Sequence, residues 1–193
     1  MVSKESIMSS RDSILGKIRS LKLAQKPLPE IPDFKGAADL LQAFCTSIIG
    51  NKGEILSTEE LVKKLESGIY PLVYSTDDTF EKFSNQALPV DVHSFSKLDL
   101  AILKGQFGVA ENGAIWLDDS ELRLRAIPFI TEHLVIVISR DSLVTTMHQA
   151  YDRIGDQHSG FGLFIAGPSK TADIEQSLVI GAHGAKSLMV VLI

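Results

Sequence analysis

Gly162-Leu163-Phe164-Ile165-Ala166-Gly167-Pro168-Ser169-Lys170-Thr171-Ala172-Asp173-Ile174-Glu175 is the stretch on which the reading of the fold turns. Three contiguous apolar side chains, Leu163 to Ile165, stand between glycines, the pattern of a strand buried on both faces of a parallel sheet. Gly167 and Pro168 break that run, and two hydroxyls then flank an ammonium at Ser169, Lys170 and Thr171. Ligands of open α/β sheets sit in the crevice beyond the carboxyl ends of the strands, so a loop of this kind is a candidate site for a small anionic ligand. Asp173 and Glu175 add two carboxylates beside Lys170. A structural reading stands next to this one. Ser169 and Thr171 can cap the following element and the carboxylates can complement a helix N-terminus, although neither hydroxyl has the Glu or Gln three residues on that a capping box uses.

Working upstream, Leu134-Val135-Ile136-Val137-Ile138 is the strongest buried strand in the chain. Ser142 is placed to cap a helix carrying Leu143, Met147 and Tyr151 and ending near Gly155, which makes a βα unit feeding the strand at Leu163. A right-handed crossover would set those two strands parallel. Downstream, strands are expected near residues 178–180 and 188–193, with His183 between the flanking Gly181 and Gly184. The segment from Leu98 to Leu103 fits a strand or a short helix equally. Phe107 to Leu117 is two apolar runs pivoting on Glu111-Asn112-Gly113, and Asn-Gly is a tight-turn signal in which both residues can take positive φ.

Nearer the N-terminus, Ile7, Ile14, Leu15, Ile18 and Leu21 recur at helical spacing, with Ser9 or Ser10 as a cap. Pro27, Pro29 and Pro32 make the next stretch stiff and extended. The chain therefore divides into a helical arm with its linker, residues 1–35, and an α/β domain, residues 36–193. The arm can dock on its own domain or on a second copy, giving a homo-oligomer. Further helices are expected over residues 37–49, closed by Gly50 and Asn51, and 57–65, with short strands at residues 54–56 and at Val73 and Tyr74.

Gly167 to Glu175, followed by Gly181-Ala182-His183-Gly184, resembles the C-terminal signature of the lactate utilisation protein C family, the LUD domain. What the resemblance implies is a three-layer α/β fold similar to the NagB, ribose-5-phosphate isomerase and coenzyme A transferase group, with a mixed, largely parallel sheet. It also implies a subunit or accessory role in oxidation of L-lactate to pyruvate alongside iron-sulfur partner proteins. Ala185 stands where family members usually have proline. Glu111-Asn112-Gly113 is similar to the Ser-Glu-Asn-Gly motif of coenzyme A transferases, whose glutamate is a nucleophile, with Ala110 in place of the serine. Glu111 and His183 are accordingly the candidate catalytic residues, and Asn112, Gly113, Ser169, Lys170, Thr171, Asp173 and Glu175 the candidate ligand-binding ones. Alternatives are an acyl or coenzyme A transferase-like enzyme using Glu111, and a sensor of small carboxylates. For Glu111 the plain alternative is a residue flanking a hairpin turn, and for His183 an incidental place in a strand-to-strand turn.

Composition bounds these readings. The 193 residues are 45% apolar and 22% charged, ordinary for a soluble globular chain long enough for one sizeable core. A net charge of −5 offers no basic surplus for nucleic acid. Cys45 is the single cysteine, so one copy of the chain cannot form an internal disulfide or hold an iron-sulfur cluster on its own thiolates. His93, His133, His148, His158 and His183 never fall at the i, i+4 spacing of a helical zinc pair, and neither GxGxxG nor a Walker loop occurs. The reading thus includes no metal and no cofactor. No run approaches the roughly 20 apolar residues of a membrane span and no signal-peptide core is evident, so a cytoplasmic location is expected.

Overall fold

A computed structural model describes residues 9–21, 26–27, 29–32, 34, 36–87, 98–156, 160–172 and 178–193. The chain divides into two units, Met1–Asp33 and Phe34–Ile193. In the first, helix α1 (Ser10–Ser20) begins at Ser9, whose hydroxyl oxygen accepts the Asp12 amide, and Asp12 and Lys17 and Arg19 sit at the ends that suit the helix dipole.

The larger unit is built on a parallel sheet in the order β1 (Glu54–Leu56), β10 (Ser187–Leu192), β6 (His133–Ile138), β3 (Leu100–Lys104), β2 (Val73–Ser75). Leu134 pairs with Leu188 and with Ala101 across its two neighbours, so β6 lies at the centre. Side chains alternate faces along each strand, and the sheet therefore divides its apolar residues between two cores. Leu134, Ile136 and Ile138 join Phe44 and Ile48 of α2 (Leu40–Gly50) on one face. Val135 and Val137 join Leu61 of α3 (Thr58–Glu66) and Phe80 on the other. In Leu98–Leu103, ambiguous in sequence, this double burial makes a strand from Leu100 onward.

α3 starts with a complete capping box: Ser57 accepts the Glu60 amide, and the Glu60 carboxylate accepts the Ser57 amide. The backbone and hydroxyl bonds from Ser57 hold the Glu60 carboxyl below its ordinary pKa. α2 starts at Asp39, which accepts the Gln42 amide, and closes through Asn51.

The stretch Leu163–Ile165 departs from the expectation. β7 (Gly162–Ile165) is not in the parallel sheet; it pairs antiparallel with β5 (Ala114–Asp118), itself antiparallel to β4 (Phe107–Val109), with Phe164 opposite Trp116. The strand is half-buried along its length rather than buried on both faces. The crossover rule applies only within one sheet, and the parallel neighbours of β6 are β3 and β10. β5 connects the layers: Ile115 and Leu117 face the core under α2, while Ala114 and Trp116 face α5 (Met147–Ile154) through Ala150. The helix begins later than expected. Thr146 is the cap, accepting the Gln149 amide, whereas Ser142 lies in a short turn and donates to the Ser139 carbonyl. The intervening Val144 runs parallel to Val109 as an isolated bridge.

Among the described residues there are also a four-residue helix α4 (Ile127–Ile130) and an antiparallel pair of short strands, β8 (Lys170–Ala172) and β9 (Leu178–Ile180). Among the described residues no helix is long and apolar enough to cross a membrane.

Candidate functional site

The β4–β5 hairpin turns through Ala110 to Gly113, and its geometry follows from its residues. Gly113 has φ +69°, and a Cβ there would lie 2.9 Å from the Ile48 amide nitrogen, so glycine meets both the backbone conformation and the close approach to α2. Asn112 is not at positive φ; its Oδ1 accepts the Ala114 amide at 3.0 Å instead. Ser47 Oγ donates to the Ala110 carbonyl at 2.8 Å and Asn51 Nδ2 to the Asn112 carbonyl at 2.7 Å, which fastens the turn to the last turns of α2.

Glu111 is thereby held at the mouth of a cavity of about 770 Å³, within the range of small-molecule sites. Its Oε2 accepts the amide of Met147, the first residue of α5, at 2.9 Å. Another part of the wall is Phe34, whose ring stacks on His148 with centroids 4.8 Å apart and planes 22° from parallel. Gly36 crosses close over Thr145, so close that a Cβ on Gly36 would overlap the Thr145 methyl. Asp39, Gln42, Thr46 and Ser47 of the α2 region, with Thr145 and Thr146 before α5, complete the polar lining, and alanines 37, 38, 43 and 110 supply much of the rest. Sequence reasoning finds Glu111 but not Phe34, Ser47 or His148. The Gly36-Ala37-Ala38 run before α2 is the available signal, since only small residues let a chain segment pass close over another.

The Ser169 loop and His183 lie elsewhere. Ser169 donates its amide to the Ala185 carbonyl and accepts from the Gly181 amide, both at 2.9 Å, so the loop and the glycine-bounded turn form one unit. Ser169, His183 and Gly184 share a cleft of about 230 Å³ with Phe129. His183 also borders a cavity of about 790 Å³ with Glu132 and Lys186, which are ion-paired to each other and stand directly before β6 and β10. That is the amino edge of the parallel sheet, not the carboxyl edge anticipated from the sequence. Lys170 is exposed and Thr171 half-buried, both in β8 opposite Ile180 and Val179. Asp173 and Glu175 fall outside the described residues. The three loops anticipated as one site are therefore divided: Ser169 and His183 are together, and Glu111 opens onto a different cavity. Gly167 links the two regions, because a Cβ on it would overlap the Asn51 carbonyl oxygen, next to the Asn112 turn.

Among the described residues no group of three or more His, Cys, Asp or Glu is placed to hold a metal ion. Asp118, at the end of β5, is a densely bonded carboxylate: its Oδ1 accepts from Ser120 N at 2.8 Å, Ser120 Oγ at 2.6 Å and Gln106 Nε2 at 2.6 Å. Burial pushes its carboxyl pKa up, but the bonds from Ser120, Gln106 and Trp116 outweigh that and hold it below the ordinary value. This network orders the β5 end and its following turn.

A parallel five-stranded sheet covered by helices on one face and by a helix and a small antiparallel sheet on the other places the protein among mixed α/β domains. A DUF162 family protein from Deinococcus radiodurans shares that fold, with a TM-score of 0.57 at 15% identity over 79% of this chain and 95% of that one. The LUD domain family model matches residues 50–193, and the chain belongs to that family. Lactate utilization protein C of Oceanobacillus iheyensis is 26% identical over 139 residues, covering 62% of this chain and 58% of that protein. The Anoxybacillus flavithermus protein of the same name is 26% identical over 166 residues, 76% of this chain and 75% of its own length. The match to the first relative thus spans less than two thirds of its length.

Proposed function

We propose that this chain is an accessory component of L-lactate utilisation, working beside iron-sulfur proteins that carry the redox step. The observation that supports this is the match of the LUD domain over residues 50–193, together with relatives that are themselves lactate utilization C proteins. The composition agrees with it: a chain with Cys45 alone supplies one thiolate, so clusters for lactate oxidation reside on partners. Deleting the gene should abolish growth on L-lactate while sparing growth on pyruvate, with restoration by the intact gene. A tagged chain from lactate-grown cells should bring down iron-bearing, cysteine-rich proteins. Undiminished growth on L-lactate overturns the role, and growth loss without such proteins removes the partnership alone.

One observation favours a second reading, acyl transfer through Glu111. With Oε2 held by the Met147 amide, Oε1 has no partner among the described residues and faces a cavity large enough for a thioester. Attack of that carboxylate on a thioester carbonyl would form a glutamyl anhydride as the carbon–sulfur bond breaks and the thiolate leaves. Borohydride reduction after incubation with acetyl-CoA should then convert Glu111 to the alcohol, a mass change confined to its peptide. An unmodified peptide removes this reading.

A further inference from the structure

The Glu111 cavity has a charge pattern that selects its occupant. Two helices present their N-termini to it, α2 through Asp39 and α5 through Thr146 and His148, and a free helix N-terminus favours an anion. Both ends are already answered from within the protein. Asp39 Oδ1 takes the Gln42 amide at 2.9 Å, and Glu111 Oε2 takes the Met147 amide at 2.9 Å. An entering molecule meets the outer oxygens of these carboxylates, neither of which has a donor among the described residues, and the described lining contains no Lys or Arg.

Two of the hydroxyls point the same way. Thr46 Oγ1 donates to the Gln42 carbonyl at 2.8 Å and Ser47 Oγ to the Ala110 carbonyl at 2.8 Å. A hydroxyl has one proton to give, so both have only acceptor capacity left. Thr146 Oγ1 only accepts, from the Gln149 amide, and so keeps its proton, and Thr145 and the Gln42 amide are further neutral donors in the lining. The described lining thus mixes neutral donors and acceptors with two carboxylates as its formal charges, while its body is apolar and bounded by the stacked Phe34 and His148 rings. An aromatic face beside carboxylates attracts a flat or compact organic cation, through its ring quadrupole as well as by direct pairing.

We infer that this cavity is a binding site for a small organic cation, an ammonium, amidinium or guanidinium on an apolar body, with Glu111 as its counter-ion and Phe34 and His148 as its stacking wall. Lactate finds no counter-charge among the described lining residues. The inference is independent of the growth phenotype, because it concerns the purified chain.

Isothermal titration of the full chain with benzamidine, and with benzoate as its anionic isostere, tests this. Benzamidine should bind, and neither benzoate nor L-lactate at equal concentration should displace it. Glu111→Gln keeps an acceptor for the Met147 amide while removing the charge, and should weaken benzamidine about ten- to a hundredfold, the loss for one charge-assisted bond. Thr46→Lys places an ammonium in the cavity and should abolish benzamidine binding in a chain whose circular dichroism is native. Absence of heat with millimolar benzamidine, displacement of bound benzamidine by an equal concentration of benzoate, or unchanged affinity in folded Glu111→Gln overturns the proposal. Should Glu111→Gln fail to fold, retention of benzamidine binding by Thr46→Lys overturns it, and loss supports it.

Discussion

Asn51 and Asn112 are joined by a 2.7 Å hydrogen bond from the side-chain amide of the first to the backbone carbonyl of the second, which ties the end of α2 to the β4–β5 turn. The carbonyl of Asn51 at the same time closes against Gly167. One residue thus holds together the hairpin that carries Glu111 and the loop that leads to Ser169. The stability of this junction depends on glycine as much as on the hydrogen bond.

Gly113→Ala should therefore be costly. An alanine at φ +69° is strained by roughly 1–2 kcal/mol, and its methyl would press on the Ile48 amide at 2.9 Å, so a total loss above about 2 kcal/mol is expected in urea denaturation. Gly160 is the internal control: its φ is +88° but nothing lies within 4 Å of where an added methyl group would stand, so Gly160→Ala should show the backbone cost alone. Equal losses at the two positions would show that contact with α2 contributes nothing.

How far the sequence reveals this arrangement depends on the range of the forces involved. β6 and α2 are legible because burial writes a local period: Leu134 to Ile138 is apolar at every position since both faces are covered, and Phe44 and Ile48 recur at helical spacing. The caps at Ser9 and Ser57 are legible for the same reason, the bond being formed within three residues. The place of β7 is not legible, because an apolar triplet between glycines looks alike in a buried parallel strand and in the outer strand of a small antiparallel sheet. Only the partner distinguishes them, and that partner is Trp116, far away in sequence. The Glu111 cavity is less legible still. Phe34, Ser47, Glu111 and His148 share no local pattern, and they meet only because α2 and α5 pack on opposite sides of the same hairpin.

The partner of β7 can be probed directly. A methyl on Gly162 would overlap the Trp116 ring, so Gly162→Ala must displace the indole or the strand. Trp116 is the only tryptophan, which makes its fluorescence a report on this contact. The emission maximum should shift and stability should fall, by about 1–3 kcal/mol as for other overpacked sites. An unchanged spectrum would mean that β7 does not cross Trp116 as described.

Asp118 gives a pH dependence with a defined sign. Its folded pKa is depressed, burial being outweighed by the bonds from Ser120, Gln106 and Trp116. A depressed carboxyl stabilises the fold fully above its unfolded pKa, about 3.9, and that contribution is lost as pH falls from there through the lower folded value. Stability measured by denaturant should therefore drop in this acid window. Asp118→Asn should flatten that part of the curve while lowering stability near neutral pH, because an amide accepts fewer of the three bonds to Oδ1 and leaves donors unmatched. Parallel curves for the two proteins would remove Asp118 as the titrating group.

Lys170 separates ligand binding from folding at the second region. The loop is fixed by backbone bonds, from the Ser169 amide to Ala185 and from the Gly181 amide to Ser169, and the register of β8 on β9 sets Lys170 opposite Ile180. None of these bonds uses the lysine side chain, so Lys170→Ala should change stability by no more than about 0.5 kcal/mol. If this loop binds a small carboxylate, the Lys170 ammonium is the proposed counter-charge, beside a cleft lined by Ser169 and His183. Removal should weaken L-lactate binding by about ten- to a hundredfold, the range for a hydrogen bond between charged groups. The contrast with the other cavity is the decisive comparison, since Glu111→Gln should leave L-lactate affinity where it was while Lys170→Ala lowers it. Equal L-lactate binding by Lys170→Ala and the unaltered chain would assign the loop to the fold alone.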